Sequence, residues 1–143
     1  MITVLFACVH NAGRSQMAAA LFNDLASPEL GRAVSAGTAP GDAVHPQVVL
    51  AMREAGIDLS AAAPRRLTPG LLHGVNVLVT MGCGEQCPVV PGARTEEWPV
   101  ADPKGQPLET VRAIRDEIRR RVADLVAREH VGRASPAESP LAD

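Results

Sequence analysis

The fold of this chain is decided near its N-terminus by eight consecutive residues: Cys8, Val9, His10, Asn11, Ala12, Gly13, Arg14 and Ser15. Residues 2–7 before them are apolar and β-branched, which predicts a buried strand. After them, apolar residues recur every three or four positions from about residue 15 to residue 26, which predicts a helix with one face on a sheet. The eight residues are therefore expected to form the loop in which a strand passes into a helix.

A loop of this kind can bind an oxyanion. The backbone N–H groups of residues 9–13 and the positive end of the helix dipole point at one spot, and Arg14 adds a planar guanidinium. The same field favours a thiolate, so Cys8 is predicted to be a nucleophile at neutral pH. Ser15 is placed to donate a hydroxyl hydrogen bond to that thiolate, and Asn11 suits a left-handed turn in the loop.

Other interpretations of these residues are more ordinary. A lone cysteine at the end of a strand usually serves as a small apolar core residue. The combination of Arg14, Ser15 and a following helix favours the nucleophile for Cys8. The side chain of His10 could tune the loop, but we expect it to face solvent.

Composition narrows the class of protein. The chain has 143 residues, enough for one domain with a single core, and a formal net charge of -2. Two Phe, one Trp and no Tyr leave little for stacking on bases, so a nucleic-acid partner is not expected. The sequence shows no apolar run of about 18 residues and no charged and apolar leader at its start, so we expect a cytoplasmic protein with no membrane partner. Three cysteines are an odd number for a secreted disulfide framework.

Strand and helix patterns alternate along the rest of the chain, which predicts an α/β protein. The expected strands cover residues 33–38, 75–81 and 94–98. A helix is expected from Pro46 to about Gly56, and a longer one from Leu108 to about Leu125. We predict a single domain over residues 1–128. Residues 129–143, rich in Ala, Ser and Pro towards the end, are expected to form a flexible tail.

A second cluster of reactive residues follows the strand at 75–81. It contains Cys83 and Cys87, with glycine on both sides of Cys83. Loops after parallel strands meet at one edge of the sheet, so all three cysteines are expected near the same edge. The pair could instead bind zinc or be inert, but the spacing is not the usual one for zinc and no second pair of ligands accompanies it. We predict no metal site.

The last candidate is Asp102, which precedes Pro103. An aspartate before proline is held out of a helix, so its carboxyl can project from a rigid loop as a general acid or base. Asp-Pro is also an ordinary turn sequence, and taken alone the turn is the simpler interpretation.

Together these motifs closely resemble the arsenate reductases built on the low-molecular-weight tyrosine phosphatase fold. The resemblance rests on Cys-x5-Arg-Ser, on Ser35-Ala36-Gly37-Thr38, on the glycine-rich cysteine pair and on the late Asp-Pro, and it spans about residues 2–128. It implies a four-stranded parallel sheet flanked by helices, a three-layer sandwich. It also implies a monomeric enzyme without a tightly bound cofactor, with arsenate as substrate and thioredoxin as partner.

The resemblance also implies a mechanism. Cys8 attacks the arsenic of bound arsenate while Arg14 and the loop amides hold its oxygens, and Asp102 protonates the departing oxygen. Cys83 then attacks the Cys8 sulfur, which releases arsenite. Cys87 attacks Cys83, and a Cys83–Cys87 disulfide remains for thioredoxin to reduce.

Two departures from the best-known thioredoxin-coupled members leave alternatives open. Only three residues separate the cysteines of the pair, fewer than in those members, and Ala12-Gly13 stand where Ser-Cys is common. A small thiol could then be the reductant, as in the mycothiol-dependent members. The same loop, nucleophile and acid would also serve a phosphatase acting on phosphate monoesters, and a module that captures an anion without turnover is a third alternative.

Overall fold

The computed structural model describes residues 1–83 and 87–133, which form a series of strands and helices. The elements in chain order are β1 (Ile2–Cys8), α1 (Arg14–Leu25), β2 (Gly31–Gly37), α2 (Pro46–Glu54), α3 (Pro69–Leu72), β3 (Val77–Thr80), β4 (Arg94–Glu97) and α4 (Leu108–Arg128).

The four strands form one parallel sheet in the order β2-β1-β3-β4. Strand β1 lies in the interior, where Val4 pairs with Ala33 on one side and with Val77 on the other. Because all four strands run the same way, Cys8 at the end of β1 and Thr80 at the end of β3 lie on the side of the sheet where the carboxyl ends of the strands meet. The predicted four-stranded parallel sheet flanked by helices is confirmed.

The larger core fills the space between one face of the sheet and helices α1, α2 and α4. Alternate residues of β1 point into it, among them Phe6, which is fully buried. The Phe6 ring meets Phe22 of α1 edge-on at 6.3 Å and Trp98 at 5.5 Å between ring centroids. Cys8 belongs to the same alternating set, so its side chain is directed to the face that α1 covers.

The smaller core lies on the opposite face. Leu5 and Ala7 of β1 and Leu78 of β3 are completely buried there. Side chains at positions 67–72 and 87–93 cover them, including Leu71 of α3 and Val90. The sheet is therefore the middle of three layers, and Cys83 lies in the thinner outer layer.

Element boundaries differ from the sequence prediction in two instructive places. The expected strand at 75–81 is shorter, since regular pairing covers Val77–Thr80. Helix α3 was not predicted at all, because four residues are too few to show a helical period. Its start nevertheless carries a signal: Thr68 Oγ1 accepts a hydrogen bond from the Leu71 N–H, and Pro69 occupies the first helical position.

The packed part of the chain extends beyond the predicted boundary at residue 128. Val131 is 3% exposed and belongs to the larger core. Its carbonyl accepts a hydrogen bond from the Ser27 N–H at 2.7 Å, and Gly132 forms an antiparallel bridge with Ala26. Residues 129–133 therefore close over the end of α1. The rest of the predicted flexible tail, 134–143, lies outside the described residues.

The two edge strands, β2 and β4, are held to their helices in different ways. At β2, the side-chain amide of Asn23 donates to the Ala33 carbonyl at 3.0 Å and accepts from the Ala33 N–H at 2.8 Å. At β4, Glu96 accepts two hydrogen bonds from the guanidinium of Arg128, both at 3.0 Å, and one from the indole of Trp98. The Glu96 carboxylate thus fastens the end of α4 to the edge strand.

Among the described residues, the structure contains no helix with the length and apolar character needed to cross a membrane.

Candidate active site

The loop between β1 and α1 has the shape of an anion cradle. Its carbonyl oxygens are occupied from outside: those of Cys8, Val9, His10 and Ala12 accept N–H groups from the segment 38–45 at 2.8 to 3.1 Å. A carbonyl and the N–H that follows it point in opposite directions across a peptide plane. The N–H groups that follow these carbonyls, those of Val9, His10, Asn11 and Gly13, are therefore directed towards the inside of the loop.

Two backbone features give the loop its tight path. Asn11 adopts the left-handed conformation expected of it, with φ of 51°. Gly37, at the end of β2, passes so close that a Cβ there would lie 2.5 Å from the Val9 carbonyl oxygen. Residue 37 therefore has to be glycine for the loop to rest against β2.

Cys8 is the nucleophile candidate, and it lies at the floor of the cradle with 2% exposure. Its thiol is free. The Sγ atom lies 2.8 Å from Ser15 Oγ and accepts a hydrogen bond from the Asn11 N–H at 3.3 Å. Ser15 Oγ in turn accepts from the Asn11 side-chain amide at 2.7 Å. Ser15 lies next to the Cys8 sulfur, where the sequence analysis expected it, and Asn11, which was expected only to shape the turn, contacts both residues.

Arg14 and Asp102 meet at the rim of the cradle. Nη2 of Arg14 lies 3.7 Å from Oδ2 of Asp102, and Nη1 donates to the Val100 carbonyl at 3.2 Å. Only 11% of the Arg14 side chain is exposed, against 44% of the Asp102 side chain. Asp102 is also held by the Lys104 N–H, which donates to Oδ1 at 3.0 Å. The Asp-Pro loop thus forms a turn and at the same time presents its carboxyl to the cradle.

Gly13 is a contact point between the cradle and the Asp-Pro loop. A Cβ at residue 13 would lie 2.6 Å from Cγ of Pro103, which is buried, and 3.4 Å from Cδ2 of His45. The absence of a side chain at Gly13 therefore lets Pro103 seat against the loop and bring Asp102 over the rim.

Gly82 makes a similar close approach from another direction. Its φ is +88°, and a Cβ there would lie 2.5 Å from Nη1 of Arg14. The guanidinium is therefore confined between the backbone of residue 82 and the carbonyl of Val100. The sequence analysis noted Gly82 only as a glycine next to Cys83, and no sequence signal pointed to its contact with Arg14.

Cys83 and Cys87 are joined in a disulfide, with Cα atoms 5.1 Å apart. This distance falls within the range that a disulfide requires. In this oxidised form neither sulfur is free to bind a metal ion. Cys83 is 5% exposed. Its Sγ lies 4.0 Å from the carbonyl oxygen of Ala7, the residue that precedes Cys8. Cys87 is half-buried and lines a cavity of about 380 Å³ together with Val89, which is exposed.

Two histidines lie near the cradle. His10 is half-buried, whereas it was expected to face solvent. His45 was not singled out from the sequence. It precedes α2, and its N–H donates to the Ala12 carbonyl at 3.0 Å. Burial lowers the pKa of His45; nearby Asp102 opposes that shift, and Lys104 and His10 add to it.

In the described ranges, 1–83 and 87–133, histidine, cysteine and acidic side chains do not gather in groups of three that could hold a metal ion.

A family model described as low molecular weight phosphotyrosine protein phosphatase matches residues 3–136. A putative arsenate reductase from Halobacterium salinarum is 41% identical over 127 residues, which cover 84% of this chain and 87% of that protein. A glutaredoxin arsenate reductase from Synechocystis sp. is 32% identical over 90% of this chain and 98% of that protein.

Among solved structures, a thioredoxin-dependent arsenate reductase from Corynebacterium glutamicum superposes with a TM-score of 0.79 at 35% identity. The match covers 91% of this chain and 62% of that one, so the chain spans rather less than two thirds of that protein's length.

Proposed function

The chain belongs to the low molecular weight phosphotyrosine protein phosphatase family, and within that family we propose that it is an arsenate reductase with Cys8 as its nucleophile. The observation that carries the proposal is the Cys83–Cys87 disulfide, which lies near the carboxyl ends of the strands, as Cys8 does. Hydrolysis of a phosphate monoester has no use for a redox-active pair. The relatives with the names of arsenate reductases, at 41% and 32% identity, support the same choice.

In the first step, the Cys8 thiolate attacks the arsenic of arsenate. A sulfur–arsenic bond forms, an arsenic–oxygen bond breaks, and the oxygen leaves as water with a proton from Asp102. Arg14 and the inward-facing amides hold the remaining oxygens, and their donors match the charge that develops on them. The exposure of Asp102 suits this role, since its carboxyl must exchange protons with solvent after each turnover.

In the second step, electrons pass from sulfur to arsenic. The thiolate of Cys83 attacks the Cys8 sulfur, a sulfur–sulfur bond forms, and the bonding pair of the sulfur–arsenic bond goes to arsenic, which leaves as arsenite. Cys87 then attacks Cys83 and displaces the Cys8 thiolate. The Cys83–Cys87 disulfide present in the structure is the bond that this sequence of reactions leaves behind.

We further propose a dithiol protein of the thioredoxin class as the reductant. Cys87 is more accessible than Cys83, and exposed Val89 and a cavity adjoin it. An incoming thiolate would therefore attack Cys87, with Cys83 as the leaving group. Action in the cytoplasm, where such reductants are kept reduced, as a monomer without a tightly bound cofactor, is part of the same proposal.

The decisive experiment is arsenate-dependent oxidation of NADPH by the purified protein with thioredoxin and thioredoxin reductase. The wild type should turn over, and Cys87→Ser should lose steady-state turnover, because the disulfide can no longer form. Cys87→Ser should still release one arsenite per enzyme in a single turnover, since Cys8 and Cys83 remain.

The alternatives predict different results in the same assays. Steady-state turnover retained in Cys87→Ser would exclude the three-cysteine relay. Turnover of both proteins with a small thiol and a glutaredoxin, but not with thioredoxin, would assign the small-thiol route. Hydrolysis of p-nitrophenyl phosphate without any arsenate reduction would assign the phosphatase, and binding of arsenate without either reaction would leave a capture module.

A further inference from the structure

Gln16, in the first turn of α1, has its polar head turned inward. The residue is 8% exposed, although a glutamine at the start of a helix would ordinarily extend into water. Its Nε2 atom donates one hydrogen bond to Asn11 Oδ1 and another to the Ala63 carbonyl, both at 3.1 Å. Both hydrogens of the amide nitrogen are therefore used, one by Asn11 of the cradle and one by the backbone of Ala63.

The bonds at Asn11 fix the orientation of its side-chain amide. The backbone N–H of Arg65 donates to Asn11 Oδ1 at 3.0 Å, and a backbone N–H can only donate. The oxygen of Asn11 must therefore face Arg65 and Gln16, and its nitrogen must face Ser15. No assumption about hydrogen positions is needed for this assignment.

The same orientation leaves the hydroxyl hydrogen of Ser15 free for a bond to Cys8. The distance of 2.8 Å between Cys8 Sγ and Ser15 Oγ is compatible with either atom as donor. Asn11 already donates to Ser15 Oγ, so the serine acts there as an acceptor, and its single hydroxyl hydrogen is available to the sulfur. When Cys8 is a thiolate, which has no hydrogen to give, Ser15 and the Asn11 N–H both donate to it.

We propose that Gln16 is a positioning residue for Cys8, acting through Asn11 and Ser15 without touching the substrate. The proposal rests on the proposed role of Cys8 as nucleophile. Gln16 and Arg65 together clamp the oxygen of an asparagine whose backbone is in the left-handed region. The terminal torsion of asparagine is soft, so with one of the two donors removed the amide can swing away from Ser15. Ser15 would then be free to turn its hydroxyl from the sulfur.

The test uses the oxidised protein, in which Cys8 carries the free thiol. The rate of Cys8 alkylation by iodoacetamide is followed by mass spectrometry from mildly acidic to alkaline pH. Gln16→Met keeps the length of the side chain and removes both donors. We expect its rate at neutral pH to fall by about fivefold to tenfold, the ratio that corresponds to one hydrogen bond. At alkaline pH, where the thiolate forms in either protein, the two rates should converge.

Gln16→Glu serves as the second variant, and it covers the case in which the methionine variant does not fold. Its carboxylate would face two acceptors, Asn11 Oδ1 and the Ala63 carbonyl, so the alkylation profile should shift the same way. Asn23→Ala is the matched control, because Asn23 is another amide of α1 but bonds to Ala33 of β2. It should lower the thermal unfolding midpoint and leave the Cys8 profile unchanged.

The outcomes separate this proposal from the proposed function. If both Gln16 variants alkylate at the wild-type rate at every pH, or if Asn23→Ala shifts the profile equally, the positioning role is wrong. If wild-type Cys8 itself reacts no faster than an ordinary buried thiol at neutral pH, the nucleophile role fails instead. Alkylation requires neither arsenate nor thioredoxin, so the result does not depend on the reductase assay.

Discussion

Replacing Gly82 by alanine should displace the guanidinium of Arg14, although residue 82 is not part of the cradle loop. A Cβ at residue 82 would lie 2.5 Å from Nη1 of Arg14, whereas ordinary contact begins near 3.4 Å. The guanidinium must therefore retreat by about 0.9 Å, the difference between these distances. A displacement of about 1 Å in a group that positions the substrate costs on the order of a hundredfold in rate. We expect kcat/KM for arsenate to fall by about that factor.

The substitution also strains the backbone, and a control variant with the same strain separates this effect from the displacement of Arg14. Gly82 has φ of +88°, where an alanine costs about 1 to 2 kcal/mol. Gly56, which follows α2, has φ of +83°, and no atom of the described residues lies within 4 Å of a Cβ built there. Gly56→Ala therefore imposes the same backbone strain without any contact with Arg14.

Three measurements on the two variants test this prediction. Urea unfolding followed by the fluorescence of Trp98 should show a similar loss in the free energy of unfolding for both. Thioredoxin-coupled arsenate reduction should show the hundredfold loss for Gly82→Ala alone. Because Gly82 precedes Cys83, the affinity for inorganic phosphate should also be measured by calorimetry, since anion binding depends on Arg14 and not on the relay. Wild-type phosphate affinity in Gly82→Ala, or an equal loss of activity in Gly56→Ala, would refute the reasoning.

Three further predictions concern other parts of the molecule. Ser15→Ala removes the hydroxyl donor to Cys8, so kcat should fall about tenfold with little change in KM, measured in the coupled assay. Burial keeps the pKa of His45 below its ordinary value of 6.5, so the folded protein binds fewer protons than the unfolded chain just below that pH. The thermal unfolding midpoint should therefore decrease as the pH falls below 6.5, and His45→Gln should flatten that decrease, as calorimetry across this range would show. Glu96→Gln weakens the paired hydrogen bonds from Arg128 and should lower the free energy of unfolding by about 1 kcal/mol at neutral pH and by less in high salt; an unchanged urea midpoint would contradict this.

Most of the fold was predictable from local pattern. The apolar run before Cys8 predicted the central strand, and the four-residue recurrence after Ser15 predicted α1, because both periods leave a direct trace in the sequence. The loop between them was identified because Arg14 and Ser15 follow Cys8 at a spacing typical of an anion cradle. Asp102 was a weaker candidate, since an aspartate before proline is common in turns.

The contacts that complete the site were not predictable in the same way. Gln16 lies in the first turn of an amphipathic helix, and its sequence position does not tell whether its head reaches water or the cradle. That depends on where residues 63–65 pass, which is set by long-range packing. Gly82 and Arg14 are likewise brought together by the sheet, since β3 and β1 are neighbours only in the folded protein.

The opposite treatment of the two sheet edges bears on self-association. A strand at the edge of a sheet offers its unpaired N–H and C=O groups to any extended chain nearby, including another copy of itself. At β2 one pair of these groups is not available, because the side chain of Asn23 bonds the outward N–H and C=O of Ala33. At β4 no side chain of residues 1–83 and 87–133 pairs with the outward backbone groups in this way, but the strand is short and carries Arg94, Glu96 and Glu97. An approaching identical strand would have to desolvate these charges, so this edge resists the templated growth that leads to fibrils.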